Sequence, residues 1–249
     1  MNARAGETRS AVHRQYLLHT PDAWVRTPLA EVSRGVVIVH CSPQLGAGFL
    51  GYTLELEAFG GLAPLPASSG VQRFLWVLAG EVEVEDGDKV RRLGMGQYGY
   101  LPAGFAGGIM AVSMATLSVM EKKYEPLPGV AAPSPLFGVE ADIPPVALGG
   151  DPNLLVRSLL PPDFNFDFAV NTMTYAPGAS LAQVEIHVME HGLVMLEGEG
   201  TYRLGDEGYA VETCDFIWMA PFCPQWFKAE GPEPAKYLIY KTWNRRPRL

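Results

Sequence analysis

The segment Phe74-Leu-Trp-Val-Leu-Ala-Gly-Glu-Val-Glu-Val returns 118 positions later as Gly192-Leu-Val-Met-Leu-Glu-Gly-Glu-Gly-Thr-Tyr. The same offset lays Gly60 on Gly178 and Tyr98 on Phe216, and an offset of 119 lays Leu101-Pro102 on Ala220-Pro221. A period this long is that of a duplicated domain rather than a solenoid repeat. A chain of 249 residues has room for two such copies, each able to bury a core without disulfide or metal support. Between them, Tyr124 to Asp151 gathers Pro126, Pro128, Pro133, Pro135, Pro144 and Pro145 and reads as a surface connection. The expected organisation is an N-terminal domain over 1–125, a linker over 126–150 and a C-terminal domain over 151–249.

The local pattern makes both copies β-structured. The 27 glycines and 21 prolines punctuate short runs rich in β-branched and aromatic residues, such as Val36-Val-Ile-Val39, Tyr52-Thr-Leu-Glu-Leu56 and Tyr237-Leu-Ile-Tyr240. No long stretch holds a 3.6-residue apolar period. Hydrophobic residues at 48% and charged residues at 18% describe a packed protein, and a net charge of −8 argues against partners that need a basic surface, nucleic acid or an anionic membrane. The one basic cluster, Arg245, Arg246 and Arg248, reads as a solvated tail or subunit contact. Cys41, Cys214 and Cys223 are an odd number without CxxC spacing, which suits a reducing cytoplasm. The polar opening from Met1 to Tyr16 and the lack of a 20-residue apolar run predict neither export nor a membrane span.

Chemistry concentrates in the second copy. Gly178, Glu185, His187, His191 and Gly198, followed by Asp215, Pro221 and Gln225, have the spacing of the two cupin motifs, with Glu in place of the first His, His in place of the usual Glu and Gln in place of the last His. The expected fold is therefore all-β, a bicupin of two tandem jelly-roll barrels, with an immunoglobulin-like sandwich as the alternative. On a strand, Glu185 and His187 share one face while Val184, Ile186 and Val188 share the other. Met189-Glu190 turns the chain into a strand starting at His191, and Gln225 arrives from a third. Two imidazoles, a carboxylate and an amide oxygen form a nitrogen and oxygen set suited to Mn²⁺, Fe²⁺, Ni²⁺ or Zn²⁺ rather than Cu(I). His187 to His191 also fits H-x-x-E-H, a helical zinc-protease pattern, but Gly192, Gly198 and Gly200 follow at once and favour strands. In the first copy Ala67, Ser69, Arg73 and Ala106 stand at the ligand positions, so only the second copy is expected to hold a metal. Trp218, Phe222, Trp226 and Phe227 are expected to pack around Gln225 at the barrel mouth.

These residues resemble the bicupin (S)-ureidoglycine aminohydrolases of purine and allantoin catabolism, which release ammonia from ureidoglycine to give ureidoglycolate. The resemblance rests on Glu185-Ile-His-Val-Met-Glu-His191-Gly, Leu196-Glu-Gly-Glu-Gly-Thr-Tyr202, Ile217-Trp-Met-Ala-Pro-Phe-Cys-Pro-Gln225-Trp and Tyr237-Leu-Ile-Tyr-Lys241. It implies a cytoplasmic, homo-oligomeric, metal-dependent hydrolase of a linear ureido substrate that carries a carboxylate. It also implies Mn²⁺ at Glu185, His187, His191 and Gln225, and Tyr202, Tyr237 and Lys241 in the substrate pocket, with Lys241 catalytic. An imidazole of the family's second barrel strand reads Asn171 here. The family's carboxylate from the joining segment has Glu125, Glu140 and Asp142 as candidates. Two other readings remain: a different metal-dependent bicupin enzyme, an isomerase or dioxygenase of a small carboxylate, or a non-catalytic metabolite-binding cupin.

Overall fold

A computed structural model describes residues 6–247 as strands joined by turns and short 3-10 segments, with no α-helix among them. Among the described residues no helix is therefore long and apolar enough to cross a membrane.

The chain divides into two units, one running Val25–Asp142 and the other made of Ile143 onward together with the residues up to Trp24. In the first, the strands Leu50–Leu62, Val71–Ala79 and Ala115–Lys123 pair antiparallel at the middle of one curled sheet, which continues through Ile109–Ala111 to the hairpin Glu81–Asp86 and Lys89–Gly94. Leu54, Leu75, Val77, Val84, Leu117 and Val119 fill its core.

In the second unit an eight-stranded sheet centred on His191–Glu197, Ala235–Thr242 and Phe168–Tyr175 shares one core with a four-stranded sheet that includes Glu199–Leu204 and Pro224–Ala229. Leu193, Met195, Tyr237 and Ile239 face Tyr202, Leu204 and Phe227 across it.

The duplication is visible in the hydrogen-bond register. Arg73 pairs with Leu101 on one side and Glu121 on the other, and His191 pairs with Met219 and Lys241 in the same way. Gly80 and Gly198 both adopt positive φ, at 76° and 74°, and both lie against backbone that leaves no room for a Cβ. Both positions therefore need glycine.

The units are curled antiparallel sheets around apolar cores, of cupin type and consistent with a bicupin, and among the described residues their ladders do not close into full jelly-roll barrels. The compact units break at Trp24/Val25 and Asp142/Ile143, beside the expected limits of 1–125, 126–150 and 151–249. Tyr16–His19 pairs with Phe216–Met219 and so joins the second unit. The proline-rich stretch is also not a free connection, because Leu136–Val139 pairs with Gln97–Leu101 in the first unit while Val146–Ala147 pairs with Leu154–Ser158 in the second. Short apolar runs advertise strand formation but not their partner.

Candidate metal centre

Strand register builds the site. Glu185–Ile186 is a two-residue edge strand in which Glu185 lies directly opposite Gln225, and Gln225 shares its face with the core residues Phe227 and Ala229. Directly opposed residues on an antiparallel pair bring their Cβ atoms within about 5.5 Å, so the carboxylate and the amide are neighbours by construction. His191 opens the next strand on the face of Leu193 and Met195, and Lys241 lies beside it on the face of Tyr237 and Ile239. Alternation thus turns Glu185, Gln225, His191 and Lys241 toward one interior. The complementary face of the Glu185 segment is exposed, as the parity of Val184, Ile186 and Val188 requires.

The donors touch in a chain. His187 Nε2 lies 3.1 Å from Glu185 Oε2, and His187 Nδ1 lies 3.3 Å from His191 Nε2. Gln225, buried on the interior face, accepts a hydrogen bond of 3.1 Å at Oε1 from the Tyr202 hydroxyl, leaving that oxygen a second lone pair. Burial, His187 and Lys241 push the pKa of His191 down to about 3, so its imidazole is neutral near pH 7 and has a lone pair to give. It also bonds the backbone of Met189, the kind of second contact that fixes a ligand imidazole's orientation.

Among the described residues no three His, Cys, Asp or Glu side chains surround one point as a preformed metal cage. His187 instead contacts Glu185 through one ring nitrogen and His191 through the other. The residue chemistry still fits a divalent cation, because the donors are nitrogen and oxygen only, one imidazole is held neutral, and the fourth donor is an amide.

The sequence-predicted pocket residues are placed as follows. Tyr202 and Tyr237 are fully buried, and the Tyr237 hydroxyl pairs with that of Tyr175 at 2.7 Å. Burial holds all three phenols above their ordinary pKa, so they are neutral hydrogen-bonding groups. With Phe227 they form an aromatic floor, ring centroids lying 4.8 to 6.4 Å apart. Lys241 is half-buried, with Nζ 4.6 Å from the Trp243 ring centre. Burial lowers its pKa and the Glu185 carboxylate opposes that shift. Asn171 shares the interior face of Met173 and Tyr175.

Of the four aromatics expected to pack around Gln225, Phe227 shares its strand face and packs against Tyr202, which holds the Gln225 amide. Trp218 is buried with its indole N–H on Glu190 at 2.7 Å, and Trp226 donates to Leu181 O at 2.7 Å. Phe222 departs from the expectation, 61% exposed with φ at 64°. Glu190 is buried between strands, not on a protease helix. Among the joining-segment candidates, Glu125 pairs with Lys122 at 3.1 Å and Glu140 is buried in the first unit. Arg245 does not trail in solvent, since its guanidinium donates to the backbone oxygens of Phe164 and Asn244; Arg248 lies outside the described residues. Tyr175 belongs to no sequence motif, and the only signal for it is the strand face it shares with Asn171.

Two duplicated antiparallel units, the second opening on a Glu-His-His-Gln set beside a lysine, define a duplicated cupin-type protein, and residues 171–240 match the cupin domain family. An Arabidopsis thaliana (S)-ureidoglycine aminohydrolase is 36% identical over 245 residues, covering 97% of this chain and 80% of that protein. An Escherichia coli (S)-ureidoglycine aminohydrolase is 28% identical over 236 residues, covering 94% and 90%. The crystal structure of E. coli protein YlbA aligns over 97% of each chain at 26% identity with a TM-score of 0.86. The chain belongs to the (S)-ureidoglycine aminohydrolase family of the cupin superfamily, a family of catabolic enzymes.

Proposed function

We propose that this chain is a metal-dependent aminohydrolase that releases ammonia from (S)-ureidoglycine to give ureidoglycolate. The observation that carries the reading is the facing of Glu185, His191, Gln225 and Lys241 into one interior, with His187 bridging Glu185 and His191, in a member of this family.

Glu185, His187, His191 and Gln225 would hold the ion, Mn²⁺ on the family's precedent, with Zn²⁺, Ni²⁺ and Fe²⁺ compatible with the same donors. Bound there, a divalent cation supplies Lewis acidity toward the substrate's carboxylate and amine. The chain does the rest. Tyr202 fixes the amide of Gln225 through its hydroxyl. The buried floor of Tyr175, Tyr202, Tyr237 and Phe227 would exclude water from that side of the site. Lys241, lowered in pKa by burial, holds the substrate carboxylate or gives its proton to the departing nitrogen. In the net change the C–N bond to the amine breaks, ammonia leaves protonated, and the hydroxyl of water takes its place on that carbon.

The test is ammonia release from freshly generated ureidoglycine by chelated protein, with Mn²⁺ added back and Lys241→Ala alongside. Chelation abolishes the rate, Mn²⁺ restores it, and Lys241→Ala lowers it at least a hundredfold. An undiminished rate in the metal-free protein overturns the reading. Homo-oligomerisation, the family expectation, is checked by sedimentation; the exposed edge strand Glu185–Ile186 is the kind of surface that such pairing covers.

A further inference from the structure

At the register position of His191, the Val25–Asp142 unit carries a different chemistry. Alternation places Arg73 on the face of Leu75 and Val77, Glu121 on the face of Leu117 and Val119, and Tyr52 on that of Leu54, all core residues. A guanidinium and a carboxylate are thus planted in an otherwise apolar interior. The Arg73 side chain is 3% exposed, and its Nε donates to Glu121 Oε1 at 2.7 Å. The Tyr52 hydroxyl donates to the same oxygen at 2.9 Å. Nη2 of Arg73 is buried without an acceptor, and no hydrogen bond from the described residues reaches the second oxygen of Glu121, whose side chain is 12% exposed.

Stability does not account for this arrangement. A buried ion pair is often no better than apolar residues of the same size, and a buried donor left unpaired costs about 1–3 kcal/mol, more when charged. An unsatisfied donor and a spare acceptor side by side are the complement of a group that offers a carbonyl oxygen and an N–H on adjacent atoms. Charge favours a neutral group, because Arg73 and Glu121 offset each other and leave no net charge for an ionic ligand to pair with. Burial and the Glu121 carboxylate hold the Tyr52 phenol well above its ordinary pKa, so it stays a neutral donor to Glu121.

We propose that the Arg73–Glu121 pair binds an uncharged carboxamide or ureido group, Arg73 Nη2 donating to its carbonyl oxygen and Glu121 accepting from its N–H. The site lies within the Val25–Asp142 unit and does not rest on the reaction assigned to the other.

The test uses the full chain with acetamide and acetate as parallel probes. Crystals soaked in acetamide should show it spanning Arg73 and Glu121, and acetate soaks should not. In solution the acetamide methyl resonance should broaden with the protein and stay sharp with the Arg73→Leu/Glu121→Leu double variant, whose fold is checked by circular dichroism. Glu121→Gln, which keeps an oxygen for Arg73 and Tyr52 and turns a donor toward the ligand, should weaken acetamide at least tenfold and strengthen acetate. A lone ordered water in the acetamide soak, equal occupancy by acetate, or acetamide broadening unchanged in both variants overturns the proposal.

Discussion

At the scale of single residues, Phe222 and Lys241 yield the sharpest expectations. Phe222 stands 118 positions after Gly104, and both adopt left-handed backbone, at 64° and 83°. A side chain there costs about 1–2 kcal/mol relative to glycine. The second copy bears that strain, and the Phe222 N–H ties the loop to His187 O at 2.6 Å. Phe222→Gly is therefore expected to raise stability by about 1 kcal/mol in chemical denaturation while lowering kcat/KM several-fold, because the segment carrying His187 loses a rigid tether. For Lys241 the sign follows from its role. If the ammonium acts, activity is present below its folded pKa and lost as pH rises through it, and burial places that loss below the ordinary lysine range. A basic limb that disappears in Lys241→Arg would identify the group; an unmoved limb would assign it elsewhere. Glu185, His187, His191 and Gln225 could be proposed as a ligand set from sequence because their spacing is local, whereas the partners of Tyr175 and Glu190 could not be read there, since those contacts cross between strands.

At the scale of elements, the copies share close backbone approaches as well as residue types. A Cβ on Gly198 would meet Pro234 O at 2.6 Å, whereas one on Gly178 meets nothing within 4 Å, although their φ values are similar at 74° and 79°. Gly178→Ala should cost about 1 kcal/mol, the conformational term alone, and Gly198→Ala clearly more because the facing turn must move. Equal denaturation midpoints for the two variants would mean that the turn yields freely. The Gly80 and Gly198 alignment made this turn legible. The broken strand before Glu185 was not: Leu50–Leu62 is one long strand in the first unit, whereas the matching stretch of the second is Phe168–Tyr175 followed by an isolated bridge between Ser180 and Lys228. A few ladder bonds decide that difference, and they leave the alternation of apolar residues unchanged.

At the scale of the whole molecule, the early strand Tyr16–His19 belongs to the unit that carries the candidate metal centre. Tyr16–His19 pairs with Phe216–Met219, which in turn pairs with His191–Glu197. Arg9 reinforces the attachment with a two-pronged hydrogen bond to the buried Asp215 carboxylate, at 2.8 and 2.9 Å, and an ion pair to Glu212. The duplication hid this, because counting outward from the repeat assigns everything before the linker to the first copy. The two assignments make opposite predictions for Leu18, which is buried in the core with Leu193, Met195 and Ile217. Leu18→Ala removes about 2–5 kcal/mol of packing. If the strand belongs to the second unit, amide hydrogen exchange should rise in Phe216–Met219 and His191–Glu197, metal affinity should fall with it, and protection in Val71–Ala79 should stay as it was. Exchange rising in Val71–Ala79 instead would return the strand to the first copy. The loss of metal affinity follows because His191 is held by the sheet whose outer strands Leu18 anchors, so donor geometry depends on a segment more than 160 residues earlier in the chain.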